Sequence, residues 1–288
     1  MNQGATKVKE KKFIRILFSL VLLGSIFLLT SCTNVKQRAN TTDTWPKIEK
    51  SKKVIVGLDD SFVPMGFRQK SGRLVGYDID LAKAVFKLYG IRVDFQTIDW
   101  SMKETELRNG TIDLIWNGYT KNAAREKTVA FSRTYLKNQQ ILVTKKKAGI
   151  TSAAKMKGQT LGLQSGSSGY DSFENSPQLL KQYVAHTVQY DSFNNAFMDL
   201  NDGRIQGLLI DSVYADYYIK HQADAASYRK LVIGFPHEDF AVGMRKDDVT
   251  LRKKINHGLQ VLAKNGTLEK INQRWFGKSQ LANLDLRK

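Results

Sequence analysis

Four polar clusters in this chain follow short apolar runs, and together they hold the groups that would bind a zwitterion. Asp59-Asp60-Ser61-Phe62-Val63-Pro64 offers carboxylates beside an aromatic face. Asn117-Gly118-Tyr119-Thr120 comes shortly before Arg125, and Gln164-Ser165-Gly166-Ser167-Ser168-Gly169 leads into a helical pattern. Asp211-Ser212 closes the fourth run. An arginine fork can hold a carboxylate through two parallel hydrogen bonds, and a helix N-terminus adds backbone donors at the positive end of a dipole. A carboxylate such as Asp211 can take an ammonium, while Phe62 and Trp100 can pack on an apolar or flat side chain. Each residue alone has a bland alternative. Arg125 beside Glu126 fits a surface pair, Gly166–Gly169 a flexible turn, Asp211 a helix cap, and Phe62 and Trp100 ordinary core aromatics. Their joint arrival at the ends of apolar runs favours a binding site. No His-Glu-x-x-His, Gly-x-Ser-x-Gly or Walker loop occurs, and His186, His221, His237 and His257 are scattered. No catalytic residue, metal or cofactor is therefore expected, although one carboxylate in a cleft is compatible with proton transfer.

The elements that must position these clusters alternate. Strands are expected at Val54–Leu58, Arg92–Ile98, Asp113–Asn117, Thr160–Gln164, His186–Tyr190 and Ile205–Ile210. Helices are expected at Asp78–Tyr89, Met102–Arg108, Phe193–Asn201, Val249–Lys264 and Thr267–Trp275. Alternating β and α units argue for an α/β architecture with largely parallel sheets. Ligands of such sheets sit beyond the carboxyl ends of the strands, which is where the four clusters fall.

At 288 residues and 42% hydrophobic content, the chain has material for two lobes with cores of their own. Its net charge is +18, but the 45 basic residues are dispersed, so no nucleic-acid partner is expected. Positive charge also suits a protein held against an anionic cell surface. Lys7, Lys9, Lys11, Lys12 and Arg15 form a basic leader, and Ile16–Ser31 carries no charge. That stretch is short for a membrane span and the right size for the apolar part of a signal peptide. It ends in Leu29-Thr30-Ser31-Cys32, which is similar to a bacterial lipobox and contains the chain's single cysteine. The expectation is a signal peptide over residues 1–31, a lipid on Cys32 and a flexible tether over 32–52; the alternative is an uncleaved anchor helix with an incidental thiol. Removing residues 1–31 takes away five basic residues and one acidic residue, which lowers the net charge from +18 to +14.

Gly76-Tyr77-Asp78-Ile79-Asp80-Leu81-Ala82 resembles the signature of the bacterial extracellular solute-binding proteins of family 3, which serve polar amino acids. Leu107–Ile115, Arg125 with Ala130-Phe131-Ser132, Leu161–Ser167 and Val242–Asp248 resemble further stretches of that family in the same order. The resemblance runs from about Val54 to Gly277. It implies a two-lobe periplasmic-binding-protein fold of the second type. Lobe 1 would comprise residues 53–138 and 239–277, lobe 2 residues 139–238, and a C-terminal tail residues 278–288. Two strands would cross between the lobes, near Lys137–Gln140 and His237–Phe240, and hinge closure would trap ligand in the cleft between them.

Carried over residue by residue, the resemblance implies that Arg125 clamps the ligand α-carboxylate with help from Asn117, Gly118, Thr120, Ser167 and Ser168. Asp211 would take the α-ammonium, Phe62 and Trp100 would enclose the side chain, and Asp59 and Gln164 would set selectivity. A carboxylate at the end of an aromatic slot favours arginine or lysine, with glutamine the alternative. The implied partners are a free L-amino acid, an ABC permease and, through Cys32, the outer face of the cell membrane, with the protein acting as a monomer. The chain departs from the family pattern at Phe86 and Tyr89, at Asn117-Gly118-Tyr119, at Ala123-Ala124 and at Arg133. Two other roles use the same fold: a cyclohexadienyl-dehydratase-like enzyme, and a surface adhesin or sensor.

Overall fold

The computed structural model describes residues 42–277 and Leu286. The expected signal peptide, Cys32 and nearly all of the tail over 278–288 lie outside the described residues. Among the described residues, no helix is long and apolar enough to cross a membrane.

Order begins earlier than the tether expected over 32–52 allows. Helix α1 (Trp45–Ser51) buries Trp45 and Ile48, which stand three residues apart on one face, and Pro46 occupies the first turn, where its missing N–H has no helical partner to lose. The segment is also tied down by polar contacts. Thr44 N donates to Asp248 Oδ1 at 2.8 Å, and Asp43 Oδ2 accepts from Thr250 N at 2.8 Å. A polar composition hid two anchoring apolar side chains.

Lobe 1 opens with β1 (Lys53–Leu58) and the small antiparallel sheet of β2 (Ser61–Phe62), β3 (Gly66–Arg68) and β4 (Leu74–Val75). It continues through α2 (Tyr77–Lys87), β5 (Arg92–Thr97), α3 (Lys103–Asn109), β6 (Leu114–Ile115), β7 (Thr120–Lys121) and β8 (Ala130–Phe131). The long β9 (Leu136–Lys145) then leads into lobe 2. That lobe holds β10 (Thr160–Gln164), α4 (Ser168–Asn175), β11 (His186–Tyr190), α5 (Phe193–Asp202), β12 (Gly207–Asp211), α6 (Ser212–Lys220) and β13 (Tyr228–Leu231). Strand β14 (His237–Phe240) returns the chain to lobe 1, which β15 (Gly243–Met244), α7 (Val249–Lys264) and α8 (Thr267–Phe276) complete.

The first sheet has the order β5-β1-β6-β15-β8, with β1 parallel to both β5 and β6. The second runs β11-β10-β12-β9-β14-β7, with β10 parallel to both β11 and β12 and β13 paired to β9. Strands β9 and β14 pair antiparallel from Leu136↔Phe240 to Gln139↔His237. Further along, β9 pairs with β12 from Gln140↔Asp211 to Thr144↔Gly207, so one strand belongs to the crossing and to the lobe 2 sheet. The parallel strands explain the near-continuous apolar runs of β1 and β12; β12 is buried on both faces and β1 at all but Lys53 and Ile55, which are half-buried.

Two glycines shape the approach to the site. Gly76 precedes α2 at φ 150°, and a Cβ there would stand 2.2 Å from Met65 O. Gly118 has φ 58° and lies against Phe62 and Phe240, where a Cβ would come within 2.9 Å of the Phe62 ring. The expected strand Asp113–Asn117 accordingly shrinks to Leu114–Ile115, because the chain turns away before Gly118. The expected helix Met102–Arg108 is Lys103–Asn109 after one 3₁₀ turn, and the expected strand Ile205–Ile210 is Gly207–Asp211.

Candidate functional site

The four clusters do converge. β1 and β6 deliver Asp59 and the 116–120 loop from lobe 1, and β10 and β12 deliver the 164–168 loop and Asp211 from lobe 2, all at carboxyl ends of parallel strands.

Arg125 is buried and reaches both lobes. Its Nη1 donates to Thr120 O at 3.0 Å, and its Nη2 donates to Gly166 O at 3.3 Å with Asp171 Oδ2 at 3.5 Å. Nε lies 3.7 Å from Glu104 Oε1, and the guanidinium sits over the Tyr119 ring at 4.8 Å. Beside it, Ser167 caps α4 by accepting from Tyr170 N at 3.0 Å. Buried Ser168 is the first residue of that helix, so its N-terminal donors and the arginine share one neighbourhood that suits an anion.

The hydroxyls of Thr120 and Ser168 connect this anion end to an acidic cluster. They stand 3.0 Å apart, and they donate to Glu238 Oε2 at 3.1 and 3.2 Å. Asn138 Nδ2 donates to Asp211 Oδ1 at 2.5 Å and to Glu238 Oε2 at 2.8 Å. Gln140 Nε2 donates to the same two oxygens at 2.9 and 3.0 Å. Burial, and then the charge of Glu238, push the Asp211 carboxyl well above the usual carboxylate range. Among the described residues, neither acid has a cationic partner within ion-pair distance.

Asp59 bridges the lobes at the other end. Its Oδ1 accepts from Ser61 N at 2.9 Å and Ser61 Oγ at 2.6 Å, and its Oδ2 accepts from Gln164 Nε2 at 3.0 Å. Burial raises its pKa despite these donors. Asn117 Oδ1 accepts from Asp59 N at 3.1 Å, while Asn117 Nδ2 is buried with no acceptor among the described residues. Phe62 packs on Phe193 and Tyr214 of lobe 2, with ring centroids 5.9 and 5.3 Å away. Trp100 meets Tyr119 edge-on at 6.0 Å and lies under Lys103. The two aromatics therefore have different neighbours.

Several site residues escaped the sequence reading. Glu238, Asn138 and Gln140 lie on the crossing strands; the signal available was a polar pair at i and i+2, on one face of β9, just before its apolar run Ile141–Val143. Lys103 is buried, and its Nζ donates to Trp100 O at 3.1 Å and across the lobes to Gly166 O at 2.7 Å. Burial, aided by the Arg125 charge, lowers its pKa to about 8. Asp78 is fully buried and accepts from Gly118 N at 2.7 Å and Tyr135 Oη at 3.0 Å, which fixes the 116–120 loop. Burial raises its pKa to about 7.

Comparison with known proteins locates this arrangement. The family model of the bacterial extracellular solute-binding proteins, family 3, matches residues 54–278. A substrate-binding protein of an ABC uptake transporter from Streptococcus pneumoniae, solved with bound histidine, is 51% identical. The match covers 84% of this chain and 100% of that one, with a TM-score of 0.83. The arginine-binding extracellular protein ArtP of Bacillus subtilis is 28% identical, over 90% of this chain and 97% of its own. The L-cystine-binding protein TcyJ of Escherichia coli (strain K12) is 28% identical, over 80% of this chain and 85% of its own.

Proposed function

The chain belongs to family 3 of the bacterial extracellular solute-binding proteins, and from that premise we propose that it is the amino-acid receptor of an ABC importer. Its relatives are substrate-binding proteins rather than enzymes, and its two lobes joined by β9 and β14 follow the second type of periplasmic-binding-protein fold. The observation that carries the reading is the polarity of one buried site. Arg125 and the N-terminus of α4 lie at one end, and an acidic pair without a cationic partner lies at the other. That polarity matches the carboxylate and ammonium of a free amino acid.

In this reading Arg125 holds the α-carboxylate with Thr120, Ser168 and the α4 backbone, and Asp211 takes the α-ammonium. The side chain extends toward Asp59 and Gln164, with Phe62, Trp100, Asn117 and Gly118 shaping its walls. A buried carboxylate at the far end favours a basic side chain such as that of histidine, arginine or lysine, and the relatives that bind histidine and arginine support that preference. Closure about β9 and β14 brings Gly166 O under Lys103 and Arg125, and the closed form is presented to the permease. A lipid on Cys32 keeps the receptor at the outer face of the membrane.

A thermal-shift screen of the twenty amino acids with ornithine, citrulline and cystine tests the function directly. A ligand at a hundred times its Kd adds about 2.7 kcal/mol of stability. Stabilisation confined to one or a few polar amino acids is the expected result; no stabilisation by any of them refutes the reading.

A further inference from the structure

Glu238 sits on the second crossing strand, where sequence reasoning places no ligand group, yet it is tied to Asp211 more closely than to any cation. Asn138 Nδ2 donates to both Asp211 Oδ1 and Glu238 Oε2, and Gln140 Nε2 reaches the same two oxygens as well as Ser168 Oγ. The two acids are thus held within reach of a single amide group. Every donor to them is neutral: two amides and the hydroxyls of Thr120 and Ser168.

The charged groups on the surrounding elements are engaged elsewhere. Arg125 contacts Asp171 and Glu104, Lys121 pairs with Glu126, Lys137 with Asp239, and Lys230 with Asp216. His237 is exposed at the start of β14. The N-terminus of α6, directly after Asp211, supplies about half a positive charge, which suits one anion and not two. Two neighbouring buried carboxylates without a counter-charge cannot both stay ionised.

We propose that Asp211 and Glu238 act as one pair that carries a single proton before capture and yields it to solvent when the ligand ammonium docks, so that Glu238 is a second ammonium acceptor. The inference rests on the amino-acid reading above. The ammonium keeps its three hydrogens, one carboxyl O–H bond breaks, and the proton leaves. A cleft of about 490 Å³, lined by Glu238 with Thr120, Ser168 and Asp171, gives it a route. Capture exchanges a proton for a cation, and the net charge of the two acids with what they hold is the same before and after. The sign follows from linkage. Below the pair's upper titration, affinity rises about tenfold per pH unit, and above it affinity is flat until the ligand amine itself loses its proton.

Two measurements test this. The first is a ¹³C NMR titration of the carboxyl carbons without added amino acid. The Asp211 carboxyl should titrate well above its ordinary range in wild type and move to lower pH in Glu238→Gln. Ordinary titration of Asp211 in wild type overturns the shared proton. The second is calorimetry at pH 6 with L-arginine, L-glutamine, L-histidine and L-cystine in buffers of different ionisation heat. Wild type should release close to one proton more than Glu238→Gln, a difference that cancels any proton the ligand itself exchanges. Affinity at pH 8 should fall at least about tenfold in that variant. Glu238→Asp, which keeps the acid, should retain the release and guards against a variant that does not fold. Equal proton counts in wild type and Glu238→Gln overturn the proposal. No heat with any of the four, together with no stabilisation in the amino-acid screen, overturns the receptor reading instead, and the NMR titration still decides the shared proton.

Discussion

Replacing Arg125 with alanine separates what this side chain does for the fold from what it does for a ligand. In the structure it donates to Thr120 O and Gly166 O and covers the Tyr119 ring. Losing a donor costs a buried carbonyl about 1–3 kcal/mol, less where water enters the space the side chain leaves. Its ion pairs with Glu104 and Asp171 add little, because those acids are 29% and 47% exposed. Unfolding stability should therefore drop by about 1–3 kcal/mol, with the fold retained. The ligand term is separate. A charge-assisted fork on a desolvated carboxylate is worth about 2–5 kcal/mol on truncation, so affinity should fall at least about thirtyfold.

The assay pairs the protein change with a ligand change: each amino acid is titrated beside its decarboxylated amine, L-histidine with histamine and L-arginine with agmatine. Wild type should prefer the amino acid by at least about thirtyfold, and Arg125→Ala should reduce that preference to a few-fold. Arg125→Lys should fall between them, since it keeps the charge and loses the fork. If Arg125→Ala binds the amino acid as wild type does, or still rejects the amine, another group holds the carboxylate and the site must be rebuilt around it.

Asp59→Asn should weaken binding of arginine, lysine or histidine relative to glutamine; an unchanged ranking in competition titrations would remove Asp59 as the selectivity element. Asp78 gives a stability prediction. Its pKa is raised from 3.8 to about 7 in the fold, so its contribution is complete below about pH 4 and is lost as pH rises through about 7. Urea unfolding of Asp78→Asn across that window should therefore show a flatter pH profile than wild type, by up to about 1.4 kcal/mol per pH unit; parallel profiles would show that Asp78 does not titrate there. Cys32→Ser should release the protein into the medium or leave it as precursor, and a processed, membrane-bound mutant would end the lipoprotein proposal.

The parts of this molecule that could be read from the chain are those set by local periodicity. The apolar runs before Asp59, Asn117, Gln164 and Asp211 become parallel strands, and their polar successors gather where such sheets bind ligands. The parts that could not be read depend on which strands become neighbours. Asn138 and Gln140 look like ordinary polar positions until β9 pairs with β12 and β14, which brings Asp211 and Glu238 to the same amides. Lys103 has the spacing of a solvated helix lysine, and only the approach of lobe 2 buries it on Gly166 O. Phe62 likewise finds Phe193 and Tyr214 only across the lobes.

The contacts of Lys103 and Phe62 share one property with others of the site: they join the two lobes. Arg125 and Lys103 converge on one lobe 2 carbonyl, while Asp59 meets Gln164 and Thr120 meets Ser168 across the same boundary. In the proposed receptor, lobe closure and ligand contact would thus draw on the same side chains. Burial lowers the Lys103 pKa and the nearby Arg125 charge adds to that shift; a ligand carboxylate held by Arg125, as proposed, would relieve the repulsion between the two cations. A bare amine offers no such relief. Under the proposed roles, recognition of the carboxylate would be coupled to the energy of closing, so a compound that satisfies Asp211 but leaves Arg125 unmatched should bind without stabilising the closed form.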